Sequence, residues 1–370
     1  MRNKIVFGKW EAVTVLINVI CTKVFLNFPR KVAEDAGTAG WLMTIYVSIL
    51  AFSAFFIISR LYARFEGKDL IDLGEHIGGS IGRILVGSIV ISFLIYMASM
   101  YLREFGENMK VISLTASPLS FVIMFFAVGM VIAAYVGLEA IVRFQAIAVP
   151  IIATGFLIII IAVLPIADFK NVTPILGTGA YDIFVSGFFR ISIFSELLIL
   201  FLLIPFLRTH DNFIKTGYTA LGISSFFLIT SAVVVLAVID YPVTIESFLP
   251  IHRIATLINY GRFFQRIESV FVLIWVGAGL LYLSTAFFFI VYTFKKTFKL
   301  EYYKPLILPF AVLVYNLSFL PPNLMTAIQL ETQYFRTWSW LVTFGMTIIL
   351  LVMARFIKKP LQKRDEISLE

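Results

Sequence analysis

Residues 10–30, WEAVTVLINVICTKVFLNFPR, decide how this chain folds. The stretch is apolar enough to enter a bilayer, yet it carries Asn18, Thr22, Lys23 and Asn27 and ends in Phe28, Pro29 and Arg30. About a dozen residues separate Trp10 from Lys23, and at ~1.5 Å per helical residue that places the lysine near mid-bilayer depth. An ionisable group is costly there, so it faces a cavity or a partner and marks a candidate site. The alternative is a span that begins late, with Lys23 snorkelling to an interface.

The rest of the composition agrees with a membrane setting. Of 370 residues, 60% are hydrophobic and 14% charged, and the mean hydropathy is +0.95, far outside the soluble globular range. The single Cys21 rules out an internal disulfide framework and a thiolate metal cluster, and His76, His210 and His252 leave little for metal chemistry. No metal and no cofactor is expected. The net charge of +8 does not point to nucleic acid, because the basic residues sit in short loops between apolar segments. The basic N-terminus precedes an apolar run without a small-x-small cleavage site, so the first segment reads as a retained span.

Ten apolar segments follow one another, near 11–28, 41–59, 84–102, 119–138, 146–164, 183–207, 217–239, 270–294, 305–320 and 338–357. Their length excludes barrel strands, so the chain is an all-α polytopic membrane protein. Arg60, Arg64, Lys68, Arg143, Arg208, Lys215, Lys295, Lys296, Lys299 and Lys304 fall in loops on one side with both basic termini. Lys170, Arg253, Arg262 and Arg336 fall on the other, and this bias places both termini in the cytoplasm. A short interfacial helix and turn is expected over the Gly-rich 65–82, with Asp69, Asp72, Glu75 and His76. Short surface helices are expected over 241–266.

Ten spans divide into two halves of five, a single transmembrane domain over 1–370 with repeats of about 10–164 and 180–357 and a cytoplasmic tail at 358–370. In inverted-repeat transporters the first and sixth helices are broken near the midplane, and the freed backbone groups bind substrate. Here the first segment carries Thr22 and Lys23, and the sixth, FFRISIFSELLILFLLIPF, carries Arg190, Ser192, Ser195 and Glu196. Neither has a central Gly or Pro, so the breaks are inferred from polar placement.

These features carry a resemblance. Pro29, Arg30 and Trp41 follow the first span; Asn171, Pro174, Leu176, Gly177 and Gly179 precede the sixth; Glu196 lies within it. Arg266, Glu268 and Ser269 open the eighth, with Trp275; Lys295, Lys296, Thr297 and Phe298 close it; Pro321 follows the ninth. In order and spacing the chain resembles B subunits of spore-germinant receptors, the endospore germination permeases of the amino acid, polyamine and organocation transporter superfamily. The resemblance implies a LeuT-like fold. Where that family has Gly-x-Gly in the first span this chain has Thr22, Lys23 and Val24, and Phe194 and Ser195 stand where a glycine precedes the glutamate. Those glycines let backbone leave helical geometry and approach a ligand, so the replacements narrow the cavity.

By the same resemblance a small-ligand site is lined by Thr22, Lys23, Val24, Ser192, Phe194 and Glu196 on the broken helices. Met97 and Tyr101, one turn apart on the third span, and Tyr282 and Ser284 on the eighth supply the opposite wall. Lys23 and Glu196 are expected to face each other. Lys23 then gates the pocket, replaces a bound cation with Ser284 and Thr285 as its ligands, or cross-links helices. Arg103 and Glu107 form an i,i+4 pair on the third span, and Arg266 and Glu268 fix the start of the eighth; all four read as gating or structural. Gly277 and Gly279 are expected to allow close helix packing. The basic run over 295–304 is expected to meet anionic lipid.

Catalytic motifs are missing: the chain has no Gly-x-Ser-x-Gly elbow, no His-Glu-x-x-His and no P-loop. The function implied is that of a membrane subunit of a spore nutrient receptor, sensing an amino acid or another small nutrient with A and C partner subunits in the spore inner membrane. A proton-coupled transporter of a similar solute and an assembly subunit without ligand are the alternatives.

Overall fold

The computed structural model describes residues 8–207, 209–258 and 268–357, and every regular element among them is helical. Among the described residues, eight helices are long and apolar enough to cross a membrane, and two shorter ones stand at the first and ninth positions. The first segment is broken: α1 (Lys9–Cys21) passes into a 3-10 turn, Thr22–Phe25, and resumes as α2 (Phe28–Ala36). Leu26, at φ −106° and ψ −126°, leaves helical geometry. Pro29 then sits in the first turn of α2, where its missing amide hydrogen costs nothing.

After α3 (Gly40–Tyr62), α4 (Leu70–Ile112) starts as the short helix expected over 65–82. The Asp69 carboxylate caps it, accepting from the amides of Ile71 and Asp72 at 3.0 and 3.1 Å. The chain bends at Gly78 and Gly79, where Gly79 has φ +59°, a conformation that favours glycine, and then runs on as the third span. α5 (Leu119–Val136) and α6 (Leu138–Val163) turn Phe121, Phe125, Phe144, Ile147 and Ile151 outward, as lipid-facing helices do.

The sixth segment is also broken. α7 (Ala180–Phe184) leads into a 3-10 stretch, Ser186–Leu197, kinked at Phe194, and α8 (Leu198–Leu203) completes it. α9 (His210–Val238) precedes two short helices within the expected 241–266 stretch, α10 (Tyr241–Glu246) and α11 (Pro250–Thr256). α12 (Glu268–Thr297) packs against α4, α5 and α6 at the centre of the bundle, and α13 (Ile307–Leu317) is the short ninth helix. A Cβ on Gly279 would meet the Phe105 ring at 2.5 Å, whereas nothing comes closer than 3.8 Å to one on Gly277. The close packing expected of both glycines therefore holds for Gly279 alone.

The tenth segment departs from expectation. It begins at Leu324, not near 338, as α14 (Leu324–Gln329), a π turn Leu330–Phe335, α15 (Arg336–Trp340), a second π turn Leu341–Met346 and α16 (Thr347–Phe356). Glu331 and Arg336 precede the apolar run expected over 338–357. They are buried and bonded to each other, which moves Arg336 from the expected outer loop to the bundle interior.

Where α4 begins, Lys296 of α12 bridges Asp69 at 2.6 Å and Asp72 at 2.8 Å. Glu75 pairs with Arg83 at 2.6 Å and Lys299 at 2.8 Å. Two of the lysines expected to meet lipid thus spend their charge within the protein.

Candidate ligand site at the broken helices

The two breaks meet. The Lys23 side chain, in the turn that follows α1, donates from Nζ to Glu196 Oε2 at 2.5 Å and to the backbone oxygen of Ile193. That carbonyl is open to a side chain because the kink at Phe194 interrupts the regular helical ladder. From the tenth helix, Arg336 Nη2 donates to the other Glu196 oxygen and to the Tyr101 hydroxyl, each at 2.7 Å. Its Nη1 reaches the Ser192 carbonyl at 3.0 Å and Ser195 Oγ at 2.9 Å, and its Nε bonds to Glu331. The Thr343 hydroxyl donates to the Ser195 carbonyl at 2.7 Å.

Three backbone oxygens of the broken sixth helix, those of Ser192, Ile193 and Ser195, are therefore taken by side chains. Glu196, 1% exposed, gives one carboxylate oxygen to each of two cations. Removing one member of such a buried set leaves an uncompensated charge, at a cost of about 3–5 kcal/mol.

The other expected residues divide. Tyr101 joins through Arg336 and stacks on Tyr282, with ring centroids 4.4 Å apart. Met97 is buried one turn before Tyr101, and Phe194 is buried at the kink itself. Buried hydroxyls of Ser192 and Tyr282 have no hydrogen-bond partner among the described residues. Thr22 donates to the Asn18 carbonyl of its own helix at 2.6 Å, and Val24 faces an apolar cavity of about 30 Å³ beside Phe25 and Phe156. Neither touches the charge network.

Ser284 donates to the Leu280 carbonyl, and Thr285 donates to that of Leu281 while accepting from Gln145 Nε2 at 2.6 Å. The Lys23 ammonium goes to the sixth helix instead, so the expected cradle of Ser284 and Thr285 around it does not form. Arg103 holds Glu107 at 2.8 Å and the Ser318 carbonyl at 3.2 Å, tying α4 to the end of α13. Glu268 opens α12; burial lowers the imidazole pKa of nearby His252, and the Glu268 charge acts in the opposite sense. Arg266 lies outside the described residues.

Arg336 and Glu331 are the members that sequence reasoning missed. Five residues apart, they would not share a face on a regular α-helix, and the π turn between them brings them together. The only signal was a glutamate and an arginine just ahead of the last apolar run.

The spore permease family model, described as spore germination protein, matches residues 9–325. The chain belongs to the spore germination protein family. Its relatives include spore germination protein YndE of Bacillus subtilis (strain 168), 25% identical over 317 residues, 85% of this chain and 86% of the relative. Spore germination protein B2 of the same organism is 25% identical over 260 residues, 68% and 69% of the two chains. MhsT in complex with L-phenylalanine superposes with a TM-score of 0.69 at 12% identity, covering 95% of this chain and 89% of that one. Mhp1, a nucleobase-cation-symport-1 family transporter, gives 0.65 at 11% identity, over 96% and 80%. These likenesses establish the LeuT fold for this spore germination protein, a multi-pass membrane protein. Lys23, Tyr101, Glu196 and Tyr282 fall within the residues matched to the family, whereas Glu331 and Arg336 follow them.

Proposed function

We propose that this spore germination protein is the integral membrane subunit of a nutrient-germinant receptor, and that an amino acid or a similar small nutrient binds between its broken first and sixth helices. The supporting observation is that both oxygens of Glu196 and the freed carbonyls of Ser192 and Ile193 are held by Lys23 and Arg336. A zwitterion offers one charge of each sign. Its carboxylate takes Lys23 or Arg336 and its ammonium takes Glu196 or Glu331, so entry exchanges internal ion pairs for ligand ion pairs without stranding a buried charge. Lys23 then acts as the gate. The fold shared with a protein solved with L-phenylalanine supports the same ligand class.

In this reading the protein catalyses nothing and works with A and C subunits of the receptor. It is a single domain of two repeats, about 10–164 and 180–357, in the spore inner membrane. The excess of basic residues in alternate loops supports both termini, with the 358–370 tail, on the cytoplasmic side, where basic residues left unpaired meet anionic lipid.

The test is germination of spores carrying Glu196→Gln, scored against a panel of amino acids, sugars and nucleosides. Loss of response to one nutrient, at unchanged protein level, is expected; an unchanged response to every nutrient would overturn the proposal. The transporter alternative draws on the transporters that share the fold. It requires labelled solute to accumulate in proteoliposomes under a proton gradient, which a receptor subunit does not produce.

A further inference from the structure

Glu104 of α4 is 2% exposed and has no ion pair among the described residues. Its Oε2 accepts from Nδ2 of Asn27, at the break in the first helix, at 3.3 Å. Its Oε1 is buried and has no hydrogen-bond partner. One turn further along the same face of α4, the side-chain oxygen of Asn108, itself 2% exposed, is also buried without a donor.

Neighbouring cations are committed elsewhere. Arg103 holds Glu107 and the Ser318 carbonyl, Arg336 holds Glu196 and Glu331, and Lys23 holds Glu196. Among the described residues around the two breaks, three buried carboxylates, Glu104, Glu196 and Glu331, stand against two buried cations not paired elsewhere, Lys23 and Arg336, one positive charge short. A carboxylate sealed from water without a counter-charge is strongly disfavoured. The free acceptors are a carboxylate oxygen and an amide oxygen, ligands that suit hard cations and ammonium donors.

We propose that Glu104, together with Asn108 and Asn27, binds a small monovalent cation: a sodium- or potassium-sized ion, or the ammonium head of a primary amine. The site joins the break in the first helix to the third helix. Cation binding there fixes the broken segment against α4, next to the Lys23 and Glu196 pair. The inference does not rest on the nutrient reading, and its test uses no nutrient.

The purified full chain is unfolded thermally at constant ionic strength while choline chloride is replaced stepwise by sodium, potassium or methylammonium chloride. A saturable rise in the midpoint with at least one of the three is expected, because a ligand of the folded state stabilises it by mass action. Glu104→Gln should abolish the rise. A response to sodium or potassium identifies an ion site, and a response to methylammonium alone identifies an amine site. Wild-type midpoints that stay flat in all three salts, or an equal rise in Glu104→Gln, would overturn the proposal. A flat wild type matched in stability by Glu104→Gln would mean that the carboxyl carries its own proton, which also overturns it. Should Glu104→Gln fail to fold, Asn108→Ala decides: the half-saturating concentration should rise roughly tenfold, the scale of losing an orienting ligand, and an unchanged value counts against the site.

Discussion

Two clusters of charge join distant parts of this bundle, and they do so in different ways. At the end where α4 begins, Asp69, Asp72, Glu75, Arg83, Lys296 and Lys299 meet at helix ends. Asp69 caps its own helix, and the Lys299 side chain is 58% exposed. At the breaks, Lys23, Glu196, Glu331 and Arg336 lie inside the bundle, and the two cations donate to backbone oxygens that a regular helix would have used itself. The first cluster closes helix ends and grades from buried Asp69 to exposed Lys299. The second fills polar backbone in a dry interior, where only another ion or dipole can take its place. That difference makes the break cluster, and not the end clamp, the candidate ligand site.

The contrast is most exposed to failure at Glu196. Glu196→Gln leaves buried Lys23 without a carboxylate and Arg336 with Glu331 alone, and a loss of about 3–5 kcal/mol is expected by denaturant unfolding in detergent; a loss below ~1 kcal/mol would show that water reaches the cluster. A double-mutant cycle on Lys23→Met and Glu196→Gln should return a coupling of about 1–3 kcal/mol, and additive effects would show that the 2.5 Å pair is incidental. At the other end, Asp69→Ala removes a cap and the Lys296 contact, for about 1–2 kcal/mol and no change in nutrient response. The smallest effect belongs to Glu139→Gln, which breaks an i,i+4 pair with Arg143 whose side chains are 68% and 47% exposed on the basic and acidic sides. It should cost less than ~0.5 kcal/mol.

Much of the fold was legible because a bilayer imposes long apolar runs. The position of the first break was legible because a lysine in such a run requires a partner. Glu196 could be named as that partner because the first and sixth helices correspond in an inverted repeat. Arg336 was not legible: an apolar window treats a paired arginine and a bare one alike, and the π turn that aligns it with Glu331 leaves no periodic trace. Ser284 and Thr285 failed as a cradle for Lys23 because hydroxyls on a helix can bond to their own carbonyls one turn back, as both do here. Glu104 was visible in the sequence among other polar residues of the third span, yet only burial reveals that no cation among the described residues pairs with it.

The most direct test is a thermal-shift screen of the purified protein against amino acids, sugars and nucleosides, run in parallel on wild type, Glu196→Gln and Asp69→Asn. At about a hundredfold excess over its dissociation constant, a true ligand adds roughly 2.7 kcal/mol to the folded state. A hit present in wild type and Asp69→Asn but lost in Glu196→Gln is the expected result. A hit that persists in Glu196→Gln would place the ligand elsewhere and contradict the site at the broken helices.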